Sequence, residues 1–388
     1  GPPPSPGEIP FPGLHSRCMR LGTSAALLSL LLPILAAAQD APDLDEIYKG
    51  LRREVAEQAR PLTEPRPVSP AGAKDPLTRI VSWNIQTWGS NVKEGRRQAY
   101  QAILGHMFSE GRSAQVLAVQ EVAHAAGAEN FTGLLPGGAD RWNLSFEDSK
   151  DSQDNGFYTL KGVEVDCDRL LFLGTGTAGE EADKGRSLHP ARMAHVRVGD
   201  FDFTIITLHL TYQDGDADAS KRELKEILKW LEGYFATKGH DPDVILVGDF
   251  NLPTRRGKSL SNRASEGGWM PVEDILEEHP LFRRELDRQG RRKAKATELT
   301  AFVDELTSRH QGEPANNYDH FIVSGDLLDE EFIQGSAGPI PANFLHAVEK
   351  EKGVYVSDHY PISAGFRTGG KGNNGRKIKR DGLLACPL

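Results

Sequence analysis

The sequence predicts a mixed α/β protein with strands at its centre and helices outside them. Three observations predict it. Short apolar segments rich in β-branched residues recur along the chain, RIVSW, QVLAVQ, FDFTIITLHL and DVILVGDF. Longer helical or loop segments separate them, an alternation that layers helices on strands. Between the last two runs SKRELKEILKWLEGYF, whose Leu224, Ile227, Leu228, Leu231 and Phe235 form one apolar stripe. Ser220 and Glu223 have the spacing of a capping box at the start of that helix.

The elements follow in chain order. Residues 1–18 read as a leader upstream of a start at Met19. From there MRLGTSAALLSLLLPILAAAQD combines a basic start, an apolar run from Ala25 to Leu35 and the small residues Ala36, Ala37 and Ala38. That is the layout of a secretory signal peptide over 19–38, and a secreted or periplasmic location is expected. The apolar run is shorter than the roughly 20 residues that span a bilayer. In the segment 39–76, Leu44, Ile47, Tyr48, Leu51 and Val55 are spaced for one helical face, and the proline-rich PLTEPRPVSPAGAKDP follows as a linker. The main domain is expected over 77–367, and 368–388, containing GGKGNNGRKIKR, as a flexible basic tail. The charge-rich stretch RRELDRQGRRKAKA at 283–296 reads as a solvated helix face, or more sharply as a contact to a nucleic-acid backbone.

Composition narrows the classes. The chain has 388 residues, 38% of them hydrophobic and 26% charged, as in ordinary soluble domains. A formal net charge of −9 excludes a passive coat on DNA but not an enzyme that holds phosphate through a metal and a few local cations. There is no repeat of solenoid length and no aromatic-rich insertion for docking on lipid, so no stable membrane association is expected, and a monomer is. Cys18 lies in the discarded leader, which leaves Cys167 and Cys386, and the sequence does not decide whether these two pair.

Polar residues that can hold a metal stand at the strand ends. They are Asn84 in SWNIQTWG, Glu121 in AVQEV, His209 in TLHL, Asp249 and Asn251 in GDFN, Asp319 in NYDHF, and Asp358 with His359 in SDHYP. Taken singly, each has an ordinary explanation as a turn residue or a helix cap. Together they gather where a central sheet would bring strand exits into one cleft. A phosphodiester is an anion that resists a second anion, and a hard divalent cation held by carboxylate and amide oxygens offsets that charge. Mg²⁺ suits such oxygens best, with Mn²⁺ or Ca²⁺ as alternatives. Histidine near its ordinary pKa can then move protons, one activating water and another protonating the leaving oxygen.

NIQTWG, QEV, LHL, GDFN, YDHFIVSG and SDHYP, in this order and spacing, resemble the endonuclease/exonuclease/phosphatase superfamily over Ile80 to Phe366. NIQTWG and the run from Tyr318 to SDHYP look most similar to deoxyribonuclease I. The resemblance implies a four-layer α/β sandwich with two packed, mostly antiparallel sheets flanked by helices and an active site at one edge. It implies Glu121 as chief metal ligand, assisted by Asn84 and Asp358, with Asp249 and Asn251 on metal or phosphate. His209 and His359 would be the acid–base pair, with Asp319 orienting His359 and Asp154 a candidate for orienting His209. Arg186 or Arg192 would take the place of the family's phosphate-binding arginine, and Arg255, Arg256 and Lys258 would add backbone contacts.

The sequence departs from the family at three points. Ala123 stands where the family's groove-entering arginine would be, RSLHPARMAHV holds no arginine in register, and the cysteine pair after GDFN is missing. The expected activity is metal-dependent endonucleolytic hydrolysis of DNA, with RNA also open. A lipid headgroup, inositol phosphate or nucleotide on the same scaffold is the alternative. A non-catalytic binding role on a retained fold is a third reading, disfavoured because every central position is filled.

Overall fold

Apolar runs without polar alternation mark strands buried on both faces, and here they build two six-stranded sheets that pack on each other. The computed structural model describes residues 77–368 except 109–113, 150–152, 172–188, 213–216, 238–240, 258–269, 294 and 311–312. These fall in one of the two units into which the chain divides, Thr63–Leu388. The expected leader, signal segment, N-terminal helix, linker and tail lie outside the described residues, as do Arg186, Lys258, Cys18 and Cys386.

The strands in chain order are β1 (Leu77–Trp88), β2 (Val116–Val122), β3 (Trp142–Ser145), β4 (Asp154–Leu160), β5 (Glu164–Leu171), β6 (Ala191–Val198), β7 (Phe201–His209) and β8 (Val244–Asp249). Then come β9 (Glu285–Leu286), β10 (Arg292–Lys293), β11 (Leu299–Phe302), β12 (Arg309–His310), β13 (Glu313–Pro314), β14 (Asp319–Ser324), β15 (Gly338–Pro339) and β16 (Ile362–Arg367). The helices are α1 (Glu94–Met107), α2 (Ala125–Thr132), α3 (Gly138–Arg141), α4 (Ala217–Ala236), α5 (Val272–Glu278), α6 (Gly325–Glu330) and α7 (Ala342–Lys352). One sheet has the order β15-β16-β1-β2-β4-β3 and the other β11-β14-β8-β7-β6-β5.

Side chains alternate between two apolar layers along each central strand, the period-two rule made visible. Ile80, Val116, Ala118, Ile205, Ile245 and Phe321 face the space between the sheets. Their neighbours Val81, Leu117 and Val119 pack outward with Tyr100, Ile103 and Leu345. On the other sheet Ile206 and Leu246 pack outward with Leu224, Ile227, Leu228, Leu231 and Ile275. The layers are therefore helix, sheet, sheet, helix, as expected. Most strand pairs are antiparallel. The exceptions are β1 with β2 and β7 with β8, which are parallel, and parallel neighbours need a crossover. Helices α1 and α4 lie in those crossovers.

The four strand segments named from the sequence and the amphipathic helix are all present. Two local expectations fail. The capping box does not form, because α4 begins at Ala217, three residues before Ser220. Glu223 instead accepts hydrogen bonds from the Thr211 backbone N–H at 2.6 Å and its hydroxyl at 2.7 Å, tying the helix to the segment after β7. The stretch 283–296 is not a helix face. It contains the β9–β10 hairpin, with Gly290 at φ 75° closing the turn. Cys167 is disulfide-bonded, and the position of its partner cysteine lies outside the described residues.

Candidate active site

Topology explains why residues scattered over the sequence meet. The parallel strands β1 and β2, and β7 and β8, deliver their carboxyl ends to one edge, which is where Asn84, Glu121, His209 and Asp249 stand. Antiparallel neighbours bring their amino ends to that same edge. Asp319 opens β14 directly opposite Asp249, itself opposite His209 in the register, while Asp358 and His359 lie just ahead of β16. The backbone is strained at this edge. Gln86, Thr87, Glu121 and Asn251 all have positive φ, between 47° and 63°, in the left-handed region that non-glycine residues avoid. Gly248 is required by close packing, since a Cβ there would lie 2.0 Å from the Leu208 carbonyl oxygen.

Asp249 is the centre of the arrangement. Its Oδ1 accepts the Asn251 backbone N–H at 2.9 Å, and its Oδ2 accepts the Asn84 amide at 3.2 Å. His359 Nε2 stands 3.4 Å from that same Oδ2 and His209 Nε2 3.6 Å from it. His359 Nδ1 donates to Asp319 Oδ2 at 2.8 Å. Asp319 is held in turn by the Thr307 hydroxyl, which accepts its backbone N–H at 2.9 Å. The loop carrying His359 is fixed from below: Trp83 Nε1 donates to the His359 carbonyl at 3.1 Å, and the Ser357 hydroxyl donates to the Asn84 carbonyl at 2.7 Å.

The two histidines are buried alike and titrate oppositely. Burial drives His209 down to about 3; the Asp249 charge opposes this, and His189 and His359 reinforce it. Burial also works against a charged His359, but Asp319 and Asp249 outweigh it and lift the ring well above the ordinary histidine range. Asp249 is pushed up to about 6, by burial first, with His359 and His209 opposing.

The acids on the neighbouring strands offer oxygen to a cation. Glu121 Oε1 accepts the Asn84 amide at 3.0 Å, while its Oε2 accepts the Thr87 N–H at 2.9 Å and the Thr87 hydroxyl at 3.0 Å. Asp358 Oδ1 is buried with no hydrogen-bond partner, an orphaned oxygen that a cation would satisfy. Glu121 on β2 and Asp358 ahead of β16 both add to the rise in the Tyr100 hydroxyl pKa, which burial chiefly causes. An all-oxygen set of this kind fits a hard divalent ion. A second grouping, Asp249, Asp319 and His359, has donor atoms within 4.8 Å of one another. There Asp319 already engages His359 Nδ1, so this trio reads first as a proton-handling pair beside Asp249. Asn84 points its amide N–H, not its oxygen, at Glu121 and Asp249, and its Oδ1 accepts the Gln86 N–H at 3.0 Å. It organises the acids in this arrangement.

Asn84, Glu121, His209, Asp249, Asn251, Asp319, Asp358 and His359 are thus assembled at one edge. Asn251 donates its side-chain amide to the Leu210 carbonyl at 2.7 Å, which ties GDFN to the segment after His209. The arginines fare differently. Arg192 is 3% exposed and bonded to Asp168 at 2.7 Å, on a strand packed into the interior, so it is not a surface phosphate contact. Arg255 is committed to Asp274 at 2.8 Å and to Glu277 at 2.8 and 2.5 Å, which neutralises it. Arg256 is exposed. Asp154 does not orient His209: its carboxylate accepts from the Ser149 N–H and hydroxyl, and His209 Nδ1 has no partner. Instead His189 stacks on His209, ring centroids 4.7 Å apart and planes within 10°. His189, the Thr87 clamp on Glu121 and the Gln120 side chain, which donates across the sheets to Thr207 at 2.8 Å, went unread in the sequence. Only the proline after His189, ahead of a strand, hinted at any of them.

The fold is the four-layer α/β sandwich that the motifs implied, two packed six-stranded sheets with helices outside them and the gathered acids and histidines at one edge. No family model matches the chain. It is 27% identical over 302 residues, 73% of this chain and 69% of the relative, to a protein named deoxyribonuclease from Thioalkalivibrio sp. (strain K90mix). It is 24% identical over 161 residues to deoxyribonuclease-1 of Bos taurus, covering 42% of this chain and 46% of that one. Among solved structures it is similar to ANGEL2, a 2',3'-cyclic phosphatase, at 14% identity and TM-score 0.48, covering 76% of this chain and 96% of that one. The relatives' names and the site chemistry together support a phosphodiester hydrolase.

Proposed function

We propose that this chain is a divalent-metal-dependent phosphodiesterase that cuts DNA endonucleolytically with little sequence preference, acting as an exported monomer. The observation that carries the reading is the convergence of both imidazole Nε2 atoms on Asp249 Oδ2, at 3.4 and 3.6 Å, beside the orphaned Asp358 oxygen. A hydrolysis in which water attacks phosphorus and an ester oxygen leaves needs one group that accepts a proton and one that donates it. His209, held neutral by burial, is the acceptor and takes the proton of the attacking water at Nε2. His359, held protonated by Asp319 and Asp249, is the donor and passes its Nε2 proton to the leaving oxygen. Asp319 fixes the His359 ring, and Asn251 would hydrogen-bond the phosphate with the side-chain capacity that its bond to Leu210 leaves over.

Glu121 and Asp358, with Asn84 organising them, would hold the cation, Mg²⁺ or else Mn²⁺ or Ca²⁺. When bound, such an ion offsets phosphate charge and polarises the phosphoryl oxygen. Among the described residues, exposed Arg256 is the remaining candidate for a contact to the DNA backbone. The names of the relatives favour DNA over RNA, a lipid headgroup, an inositol phosphate or a nucleotide. The test is nicking of supercoiled plasmid with Mg²⁺ and with EDTA, beside a generic phosphodiester. Metal-dependent nicking is expected. Hydrolysis of the generic diester without nicking would keep the chemistry and refute DNA as substrate.

A further inference from the structure

A groove of about 560 Å³ opens at the end of β1, beside the site edge, and its size is that of a small-ligand cleft. Thr87 lines it, the same residue whose N–H and hydroxyl hold Glu121 Oε2. The groove therefore leads directly away from the acids assigned to the cation. Around it stand Ser90, Lys93, Arg96, His124 and Tyr355.

Resting on the nuclease reading, we propose that this groove is a nucleotide subsite: it receives one unstacked base of the substrate strand against the Tyr355 ring, with Lys93 on an adjoining phosphate. Tyr355 is 44% exposed, although it sits four residues before His359 in a loop otherwise pinned to the core. Aromatic rings so exposed are rare here; among the described residues the other large exposed apolar side chains are Tyr212 and Leu286. The ring is braced. The Arg309 guanidinium lies 4.4 Å from its centroid and is itself locked by Glu349, at 2.8 and 2.7 Å, and by the Ser357 carbonyl. A cation under one face keeps a flat aromatic surface in place, the arrangement on which bases of any identity stack.

The remaining lining residues divide into floor and contacts. Arg96 donates to the Ile85, Gln86 and Val356 carbonyls, so it staples the end of β1 to the loop before His359 and forms a rigid wall. Lys93 is exposed, and no ion pair engages it among the described residues. Its charge is available to phosphate on a protein whose net charge is −9. His124 caps α2 by accepting the Gly127 N–H at 3.0 Å, and the Ser90 hydroxyl lies 3.4 Å from its other ring nitrogen. These two offer hydrogen bonds to a base or sugar edge without adding bulk.

A base can enter this groove only when unstacked, so the subsite favours single-stranded or locally opened DNA over an intact duplex. The experiment is fluorescence anisotropy with Mg²⁺ in a His209→Ala background. Three probes of equal length are used: a labelled single strand, a duplex, and an abasic deoxyribose-phosphate strand. Adding Tyr355→Ala is expected to weaken single-strand binding roughly tenfold while leaving the abasic strand unaffected, and Tyr355→Phe to retain binding. Lys93→Ala is expected to weaken both strands alike and to reduce the salt dependence. Equal binding of the single strand with and without the Tyr355 ring would overturn the subsite and leave the nuclease reading standing. Failure of all three probes to bind would overturn both.

Discussion

One six-residue strand, β8, has a buried aspartate at each end: Asp243 just before it and Asp249 as its last residue. Burial is the first cause that raises the pKa of both, yet they settle differently. The groups acting on Asp243 are other acids, Asp241, Glu331, Asp326 and Asp202, and it is pushed up to about 10. Asp241 rises to about 7 and Glu331 to about 8 by the same means, burial first. At the other end His359 and His209 oppose the rise, a backbone N–H from Asn251 assists them, and Asp249 stops at about 6. One end of the sheet thus accommodates buried acid by keeping protons, and the other by gathering imidazoles and amides around the charge. An ionised acid flanked by imidazoles is poised for proton transfer near neutral pH. A protonated cluster is not.

The largest effects should come from breaking the charged end. His209→Ala or His359→Ala is expected to lower turnover of a phosphodiester by roughly 10² to 10⁴-fold, the range of a lost general acid or base, read by initial rates at saturating metal. Arg309→Ala should cost about 2–4 kcal/mol in denaturant unfolding, because it strands the largely covered Glu349 carboxylate, paired with a guanidinium that has no exposed side-chain area. A loss under about 1 kcal/mol would show the Arg309–Glu349 pair to be incidental.

The pH profile sharpens the contrast. Asp249 must be ionised to engage both imidazoles, and its carboxyl is raised to about 6. Activity should therefore fall as pH drops through about 6, and fall again in the alkaline range as His359, lifted above the ordinary histidine value, loses its proton. An acid limb near pH 4 would contradict the assignment. Asp243 bears on stability instead. An acid whose folded pKa is raised is favoured in the fold while protonated, so its contribution is present at low pH and is lost as pH rises from about 4 toward about 10. Asp243→Asn removes that loss. It should raise the melting temperature by about 2–4 °C at pH 8, the shift of about 1 kcal/mol, and by less at pH 5.

The smallest effect concerns the basic hairpin. Leu299 pairs with Ser324, at the end of β14 remote from Asp319, so the β9–β10 hairpin that precedes it stands away from the catalytic edge. Replacing Arg283, Arg284 and Arg288 by Ala should leave plasmid nicking unchanged. A clear loss of nicking would return the stretch to the substrate path.

The assembled edge was legible in the sequence partly because strand runs closing on Glu121, His209 and Asp249 announce themselves, and partly because the family resemblance supplied Asn84, Asp319, Asp358 and His359. A β-branched run that stops on Asn, Glu, His or Asp places that residue at a sheet edge, and parallel pairing does the rest. Charge alone was less informative. Arg192 and Arg255 read as phosphate contacts, yet one is buried on Asp168 and the other is bound to two acids of α5, facts of packing that composition does not carry. The stretch 283–296 read as a solvated helix face from its charge content, although Asp287 to Gly290 was a turn signal within it. The stacking of His189 on His209 and the Thr87 hold on Glu121 depend on register between distant strands, for which no local pattern exists.

The most direct test compares the two ends of β8 in one assay: metal-dependent plasmid nicking by Asp249→Asn and by Asp243→Asn, each trading one buried carboxyl for an amide. The account predicts that Asp249→Asn abolishes detectable nicking while Asp243→Asn nicks at the wild-type rate. Nicking retained by Asp249→Asn would contradict the assignment of this edge as the catalytic centre.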